Sequence, residues 1–475
     1  MTHGATARVA IGRAAIARAA LALAVTLAAV PPPTAARSPA GGGAAATPAV
    51  AAPSPSVGGC SVSDAVTLDW VTAQQLLLRC NRALRGAQRA VEVARADVRI
   101  AGQIPNPTLS GGVENLGARG GLGAGGLLDK QLDYQARLDQ PIERGNKRGL
   151  RTEAAEQTLA AARWSAADTL RQQQLLLADA WVDLWGAQER VRLQQDVIGL
   201  FRRTLDGARR RLGAGDIAAA DVARIRLDVE RAEGERTLAE GALADARHAL
   251  AALLALDGDA AALQATEPWP ALDLSGVEPV APAQSDRPDL LAARAQVASA
   301  EAQRRLARSL QTRDVSVGVA ADRFAPPSGN GWTLGVYVSI PLFLHHRNEG
   351  EIARAEADHA SADEARARIE QEAGADLRRR LAAQAAARAR RDRLQRDALP
   401  LAEKVASDAE LAYRKGAGTV LDLLDALRQL RALQLAALDA RLDDDRANAA
   451  ARAEMLTRTA AADPVFGAVL RWLQN

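Results

Sequence analysis

Two aspartates three positions apart, Asp422 and Asp425, offer the most direct chemistry in this sequence. They follow a glycine pair in KGAGTVLDLLDALRQL, residues 415–430. Residues three apart lie on the same face of a helix, so the two carboxylates could attract cations together. Thr419 with Asp422 also fits a capping box, in which Asp422 stabilises the start of its own helix. Asp425 lies too far along the helix to cap it and is the better candidate for a cation-attracting charge.

Enzyme chemistry is not indicated by any motif. The sequence has no glycine-rich phosphate loop after a strand, no HExxH, no GxSxG and no paired cysteine motif. Five histidines and two methionines form no His-rich tract, so we expect no cofactor and no metal site. His345 and His346 are expected to have a surface or packing role. The protein is therefore not expected to be an enzyme.

Charge gives no basis for nucleic-acid binding. The 60 Lys and Arg residues nearly cancel the 57 Asp and Glu residues, leaving a net charge of +3. The two signs alternate along predicted helix faces instead of forming a patch of one sign.

The first 36 residues have the pattern of a secretory signal peptide, with arginines before the apolar run at 20–30 and small residues after it. We interpret residues 37–63 as a flexible leader rich in Ala, Pro and Gly. The two cysteines of the chain, Cys60 and Cys80, could form a disulfide in an oxidising compartment. Lipidation of Cys60 is the alternative.

Long helices dominate the rest of the predicted structure, because only 3% of residues are aromatic and Ala, Leu and Arg are abundant. One order of elements occurs twice: helix, strand, strand, long helix, turn, helix. The first repeat covers 64–265 and the second covers 286–460, with a linker at 266–285 and a tail at 461–475. The predicted fold class is mainly α with a small membrane β part.

Four segments of alternating polarity are predicted as strands, at about 107–116, 131–142, 314–324 and 332–343. Each has the length of a tilted strand that crosses a bilayer. Four strands cannot close a barrel alone, so several chains must share one. Two chains would supply eight strands and three would supply twelve. Pro141 and Pro341 are expected to end two of the strands.

Two long helices are predicted, at 146–212 and 348–415, each about 100 Å long and packed as a coiled coil. Pro400 has no counterpart in the first of them, so we expect a bend in the second alone.

Glycine pairs end both long helices and reverse the chain. The predicted turns are 213–216 and 416–419, with Gly215 and Gly418 taken as equivalent. Asp216 and Thr419 are the predicted N-caps of the returning helices. The glycines of the two turns are Gly213, Gly215, Gly416 and Gly418.

The doubled order of elements resembles the TolC-like outer-membrane efflux proteins over about residues 64–460. The strings IPNPTLSGGVENLG, QPIERGNKRGLRTEAAE and SIPLFLHHRNEGEIARAEAD resemble the heavy-metal, Czc-type branch. This resemblance implies a homotrimer with a 12-stranded β-barrel in outer-membrane lipid and a helical barrel in the periplasm. It also implies a periplasmic adaptor and an inner-membrane pump of the resistance-nodulation-division (RND) class as partners in exporting divalent cations. A channel for drug efflux or type I secretion is the alternative, and an adaptor protein is a weaker one.

The same resemblance assigns roles at the tip turns. Asp422 and Asp425 match an aspartate pair that narrows the pore, and Asp221 matches a tip aspartate after the first turn. Tyr413 matches a tyrosine that holds the entrance closed. Gly418 stands where the family prototype has a latching arginine, and Arg414 is the candidate substitute. Three copies would place six carboxylates of the Asp422 and Asp425 pair in a ring.

Overall fold

The computed structural model describes residues 67–114, 132–256, 260–269, 287–324 and 331–459, with side chains described as far as 451. The predicted signal peptide, leader and C-terminal tail lie outside the described residues, as does most of the predicted linker. Cys80 is buried and is not a free thiol. Cys60 lies outside the described residues, so its pairing with Cys80 stays a prediction.

The described chain divides into two compact units. Residues 104–146 and 312–346 form a sheet unit, and the remaining described residues form a helical unit. The strands, in chain order, are β1 Thr67–Leu68, β2 Thr108–Glu114, β3 Asp133–Ile142, β4 Gln264–Ala265, β5 Val315–Phe324 and β6 Gly331–Ser339. The helices are α1 Trp70–Cys80, α2 Arg82–Ala101, α3 Lys147–Gly213, α4 Ala219–Leu253, α5 Pro288–Ser309, α6 Glu349–Arg393, α7 Leu399–Arg414 and α8 Val420–Thr459.

The first long helix, α3, runs unbroken for 67 residues. The second long helical stretch changes between α6 and α7, where Leu394–Ala398 form a π-helical turn directly before Pro400. Proline lacks an N–H and its ring crowds the carbonyl four residues earlier, so a widened turn relieves the clash. The irregularity lies where Pro400 predicts one. None of the described helices combines the length and the apolar character needed to cross a membrane.

Left-handed asparagines precede both long helices. Asn146 has φ 56° and Asn348 has φ 62°. Asparagine tolerates this conformation better than most residues do, because its short polar side chain can bond locally. The two asparagines stand 202 residues apart in the chain, each before one of the long helices α3 and α6.

The sheet unit is a four-stranded antiparallel sheet in the order β2-β3-β5-β6. Its strands form in the four segments predicted from alternation. β3 ends at Ile142, one residue after Pro141, as the predicted strand 131–142 does, and Pro141 itself still pairs with Ser316. Pairing with β2 stops at Asp139, so Pro141 has a neighbouring strand on one side only, where a missing N–H is tolerated. β6 ends at Ser339, before Pro341.

A tryptophan cluster lies in the core of the helical unit. The ring of Trp70 is 4.3 Å from that of Trp269 and 5.8 Å from that of Trp181, both edge-on. The indole N–H of Trp181 donates to the carbonyl of Glu267 at 3.2 Å. The short strands β1 and β4 pair in parallel in this region, which alternation over two residues could not predict.

Two adjacent carboxylates on α8, Asp444 and Asp445, are buried. Arg391 on α6 forms an ion pair with Asp444. Burial raises the pKa of Asp444, and it raises the pKa of Asp445 from 3.8 to about 6 despite the nearby Arg441 guanidinium. One carboxylate oxygen of Asp445 has no hydrogen-bond partner among the described residues. The protonated form of Asp445 is therefore more favoured in the native state than in the unfolded chain.

This arrangement predicts that Asp445→Asn stabilises the protein at neutral pH. Because its pKa is raised, the contribution of Asp445 to stability is fully present below about pH 4 and is lost as the pH rises through about 6. The variant should raise the thermal unfolding midpoint by about 2 °C or more near pH 7.5 and by much less near pH 4. Asp358→Asn, at an exposed site on α6, is the matched control and should change neither value. An equal gain at both pH values would contradict the assignment.

Candidate functional site

The two tip turns use the same helix-ending geometry. Gly215 has φ 81° and Gly416 has φ 74°, and in each turn the residue after this glycine donates its N–H to the carbonyl five residues back at 2.9 Å. This is the Schellman pattern of a helix C-terminus. Gly215 is therefore equivalent to Gly416, and the expected equivalence of Gly215 with Gly418 is wrong.

The remaining glycine of each pair has a different role. Gly213 is the last residue of α3, and a Cβ added there would meet nothing within 4 Å. A Cβ at Gly418 would lie 3.2 Å from the Cβ of Ala412 and 3.3 Å from the backbone nitrogen of Tyr413. Gly418 therefore permits a close approach of the chain to the end of α7.

The capping box at the second turn is confirmed. The Thr419 hydroxyl oxygen accepts from the Asp422 N–H at 3.2 Å, and Asp422 accepts from the Thr419 N–H at 3.2 Å. The Thr419 hydroxyl also donates to Asp422 at 2.7 Å, and these bonds from Thr419 lower the pKa of Asp422. The predicted cap at Asp216 is wrong, because the N-cap of α4 is Ala218 and has no side-chain cap bond. Ile217 packs against the apolar cluster between the two turns, and α4 begins two residues later, at Ala219.

Asp422 and Asp425 lie on the exposed face of α8, opposite the buried Leu423, Leu424 and Leu427. The side-chain amide of Gln429 donates to Asp425 at 2.7 Å. The third candidate, Asp221, lies on α4 and pairs with Arg224 at 3.0 Å. The structure thus places the first two carboxylates on one face and gives the third an arginine partner.

One apolar cluster, here called the tip core, joins the ends of α3 and α7 to the starts of α4 and α8. It includes Tyr413, which is 7% exposed. The other buried members are Val197, Ile198, Phe201, Leu205, Ala208, Ile225, Val229, Ala232, Ala406, Val420, Leu423, Leu424, Ala426 and Leu427. The tip core packs the two turns of one chain against each other.

Arg211 connects the two turns directly. Its guanidinium lies 4.7 Å from the centre of the Tyr413 ring and donates to the Tyr413 carbonyl at 3.0 Å. Arg414, the predicted substitute latch, instead pairs with Glu410 on its own helix. Sequence reasoning missed Arg211, although three consecutive arginines, 209–211, precede the first turn.

A second connection below the turns was also missed. Arg428 on α8 donates to both carboxylate oxygens of Asp228 on α4, at 2.7 and 3.2 Å. Asp228 is buried, so loss of Arg428 would leave a buried carboxylate without its partner. No single-helix pattern indicates a pair formed by residues 200 positions apart.

The sheet has one apolar and one polar face. On the apolar face, Trp332, Leu334, Val336 and Val338 of β6 are between 63% and 80% exposed. The residues in register with them on β5 are Arg323, Ala321, Val319 and Val317. The polar face carries Arg137, Asp139 and Asp322. An exposed apolar surface of this kind on an edge strand is typical of a site that contacts lipid or another protein.

Metal ligands are not brought together in the described residues. His345 and His346 are exposed, and no group of three or more His, Cys, Asp or Glu side chains there could hold a metal ion.

Comparisons with known proteins give a consistent assignment. The chain is 29% identical over 369 residues to the cobalt-zinc-cadmium resistance protein CzcC of Cupriavidus metallidurans, which covers 75% of this chain and 82% of that protein. A membrane protein from Pseudomonas aeruginosa has a TM-score of 0.69 at 23% identity, covering 81% of this chain and 89% of its own. The channel protein CusC has a TM-score of 0.68 at 19% identity, covering 84% of this chain and 93% of its own.

The family described as outer membrane efflux protein matches residues 73–256 and 281–453, which is more than half of the chain. The match includes both tip turns and all four strands of the sheet unit. The chain therefore belongs to the outer membrane efflux protein family.

Proposed function

We propose that this chain is the outer-membrane channel of a tripartite efflux system, and that three copies form one passive conduit for divalent heavy-metal cations. The observation that carries the proposal is the four-stranded sheet with an exposed apolar face and two edge strands. The apolar side chains of this face are suited to contact with lipid. Lipid offers no water to the unpaired backbone groups of the two edge strands, so those edges must be paired with further strands.

The strand order supports closure by further copies of the chain. Every neighbouring pair in β2-β3-β5-β6 is antiparallel, so the edge strands β2 and β6 run in opposite directions. The β6 edge of one copy can therefore pair antiparallel with the β2 edge of the next. Three copies would contribute twelve strands, an even number that suits a closed antiparallel barrel.

The helical unit supplies passage and gating in this proposal. Its tips would lie in the periplasm and meet an adaptor and an inner-membrane RND pump, which provides the energy. Each tip is held by contacts within one chain, namely the tip core, the Arg211–Tyr413 contact and the Asp228–Arg428 ion pair. Opening would require the partner to rearrange these contacts.

Divalent cations are the substrate class that the tip charges favour. The printed name of CzcC connects that relative with cobalt, zinc and cadmium resistance. In this chain, Asp425 is exposed and bonded to an amide, whereas Asp422 is engaged by its cap and Asp221 by an arginine. Asp425 is therefore the carboxylate best placed to attract passing cations. A single carboxylate with one neutral hydrogen-bond partner would bind a cation weakly, so the cation could pass on through the channel.

The membrane assignment predicts opposite results for arginine on the two faces of β6. Leu334→Arg puts a charge on the apolar face, at a cost of about 2–4 kcal/mol per copy if that face meets the bilayer midplane. It should abolish heat-resistant trimers in outer-membrane extracts. Thr333→Arg, on the opposite face of the same strand, should retain them. Trimers of equal abundance in both variants would contradict a lipid-facing apolar surface.

Cells that lack this chain test the substrate class and the role of Asp425 together. The wild-type chain should restore growth in cobalt, zinc or cadmium salts, and Asp425→Asn should restore less because the attracting charge is lost. Asp422→Asn is the matched control and should restore nearly as much as the wild type. Restored tolerance to hydrophobic drugs instead of metals would show that the proposed substrate class is wrong.

The Arg211 contact predicts a leak when it is removed. Arg211→Ala loses a cation–π contact and a charged hydrogen bond, so the open fraction of the channel should rise on the order of tenfold. Resting conductance in planar bilayers measures this. Arg414→Ala also removes one positive charge near a turn, but it leaves both contacts between Arg211 and Tyr413 intact. The channel of this variant should therefore stay closed. A leak in the Arg414 variant alone would reverse the assignment.

A further inference from the structure

Three side chains on the polar face of the sheet form one connected group, here called the Arg137 group. Arg137 and Asp139 belong to β3 and Tyr337 belongs to β6. The Arg137 guanidinium donates to Asp139 through Nε at 3.0 Å and through Nη2 at 2.8 Å. The same guanidinium lies 4.4 Å from the centre of the Tyr337 ring.

The group spans three strands. β5 lies between β3 and β6, and in register with Asp139 and Tyr337 it places Gly318. A Cβ at Gly318 would lie 2.2 Å from the carboxylate of Asp139, and one at Gly335 would lie 2.9 Å from the Tyr337 ring. The two glycines therefore leave room for these side chains to lie flat across the sheet instead of standing away from it.

Arg137 also has a particular place in the charge balance of this face. The described strands put four carboxylates there, and within those strands Arg137 is the one cation of the face. The carboxylates are those of Glu114, Asp133, Asp139 and Asp322. Arg137 and Asp139 are less than one third exposed, so their charges are only partly screened by solvent.

We propose that Arg137 determines the ion selectivity of the membrane segment. Held flat by Asp139 and Tyr337, its guanidinium offsets the carboxylates of the polar face and keeps this face from retaining divalent cations. The proposal rests on the proposed function, because the polar face must line the lumen of the shared barrel. Gly318 and Gly335 keep the group out of the path of the ions.

Reversal potentials across planar bilayers under a potassium chloride gradient test the proposal. Arg137→Gln should raise the cation-to-anion permeability ratio by about threefold, because the carboxylates lose their offset. Asp139→Asn should lower the ratio by about the same factor. The double variant should return close to the wild-type ratio, and shifts of the two single variants in the same direction, or no shift, would overturn the proposal.

Matched controls separate selectivity from a general loss of charge or fold. Arg89→Gln removes an arginine from an exposed ion pair with Glu92 on α2 and should leave the ratio unchanged. Gly318→Ala should displace Asp139 and lower single-channel conductance. Gly331→Ala, in β6 with nothing within 4 Å of the added Cβ, should not. Equal conductance in both alanine variants would refute the role of Gly318.

The proposed function and this inference fail in different ways. Wild-type protein that forms neither oligomers nor pores would overturn both. Wild-type pores whose selectivity is unaffected by Arg137→Gln and Asp139→Asn would overturn the inference alone and leave the channel function in place.

Discussion

The hydrogen-bonding demand of strand edges governs the organisation of the sheet unit. β2 and β6 each present backbone donors and acceptors on one side, and β6 also exposes Trp332, Leu334, Val336 and Val338. In water these groups could be solvated, but in lipid each unpaired group costs several kcal/mol. An apolar face and open edges on one sheet are compatible with lipid only when further strands cover the edges. The proposed barrel of three chains, its lumen and the role of Arg137 in that lumen all depend on this constraint.

The helical unit meets a different demand, which is to reverse a very long helix twice. The left-handed conformation of Gly215 and Gly416 lets the N–H of the following residue bond to a carbonyl in the last turn of the helix. Asparagines in the same conformation precede α3 and α6. The tip core then packs the reversed segments together. Apolar packing holds the turns in place, while Arg211 and the Asp228–Arg428 pair define how they are connected.

Most of the fold could be predicted, because alternation, glycine punctuation and helical composition are local signals. The candidate site was predicted less well. The capping box of Thr419 and Asp422 was found because its two members lie within one helical turn. The cap at Asp216 was wrong because packing of Ile217 places the helix start later. Arg211 was missed because its contact with Tyr413 joins residues 202 positions apart.

The four strands, the long helices, the two turns and the family resemblance could be predicted from local patterns, since periodicity and turn chemistry act over a few neighbouring residues. Which charges form ion pairs or become buried depends instead on contacts between residues far apart in the chain. The fold buries Asp445 beside Asp444, pairs Asp228 with Arg428, and brings the Arg137 guanidinium of β3 over the Tyr337 ring of β6. The reason is physical: solvation and partner distance control the behaviour of a charge, and both are set by residues distant along the chain.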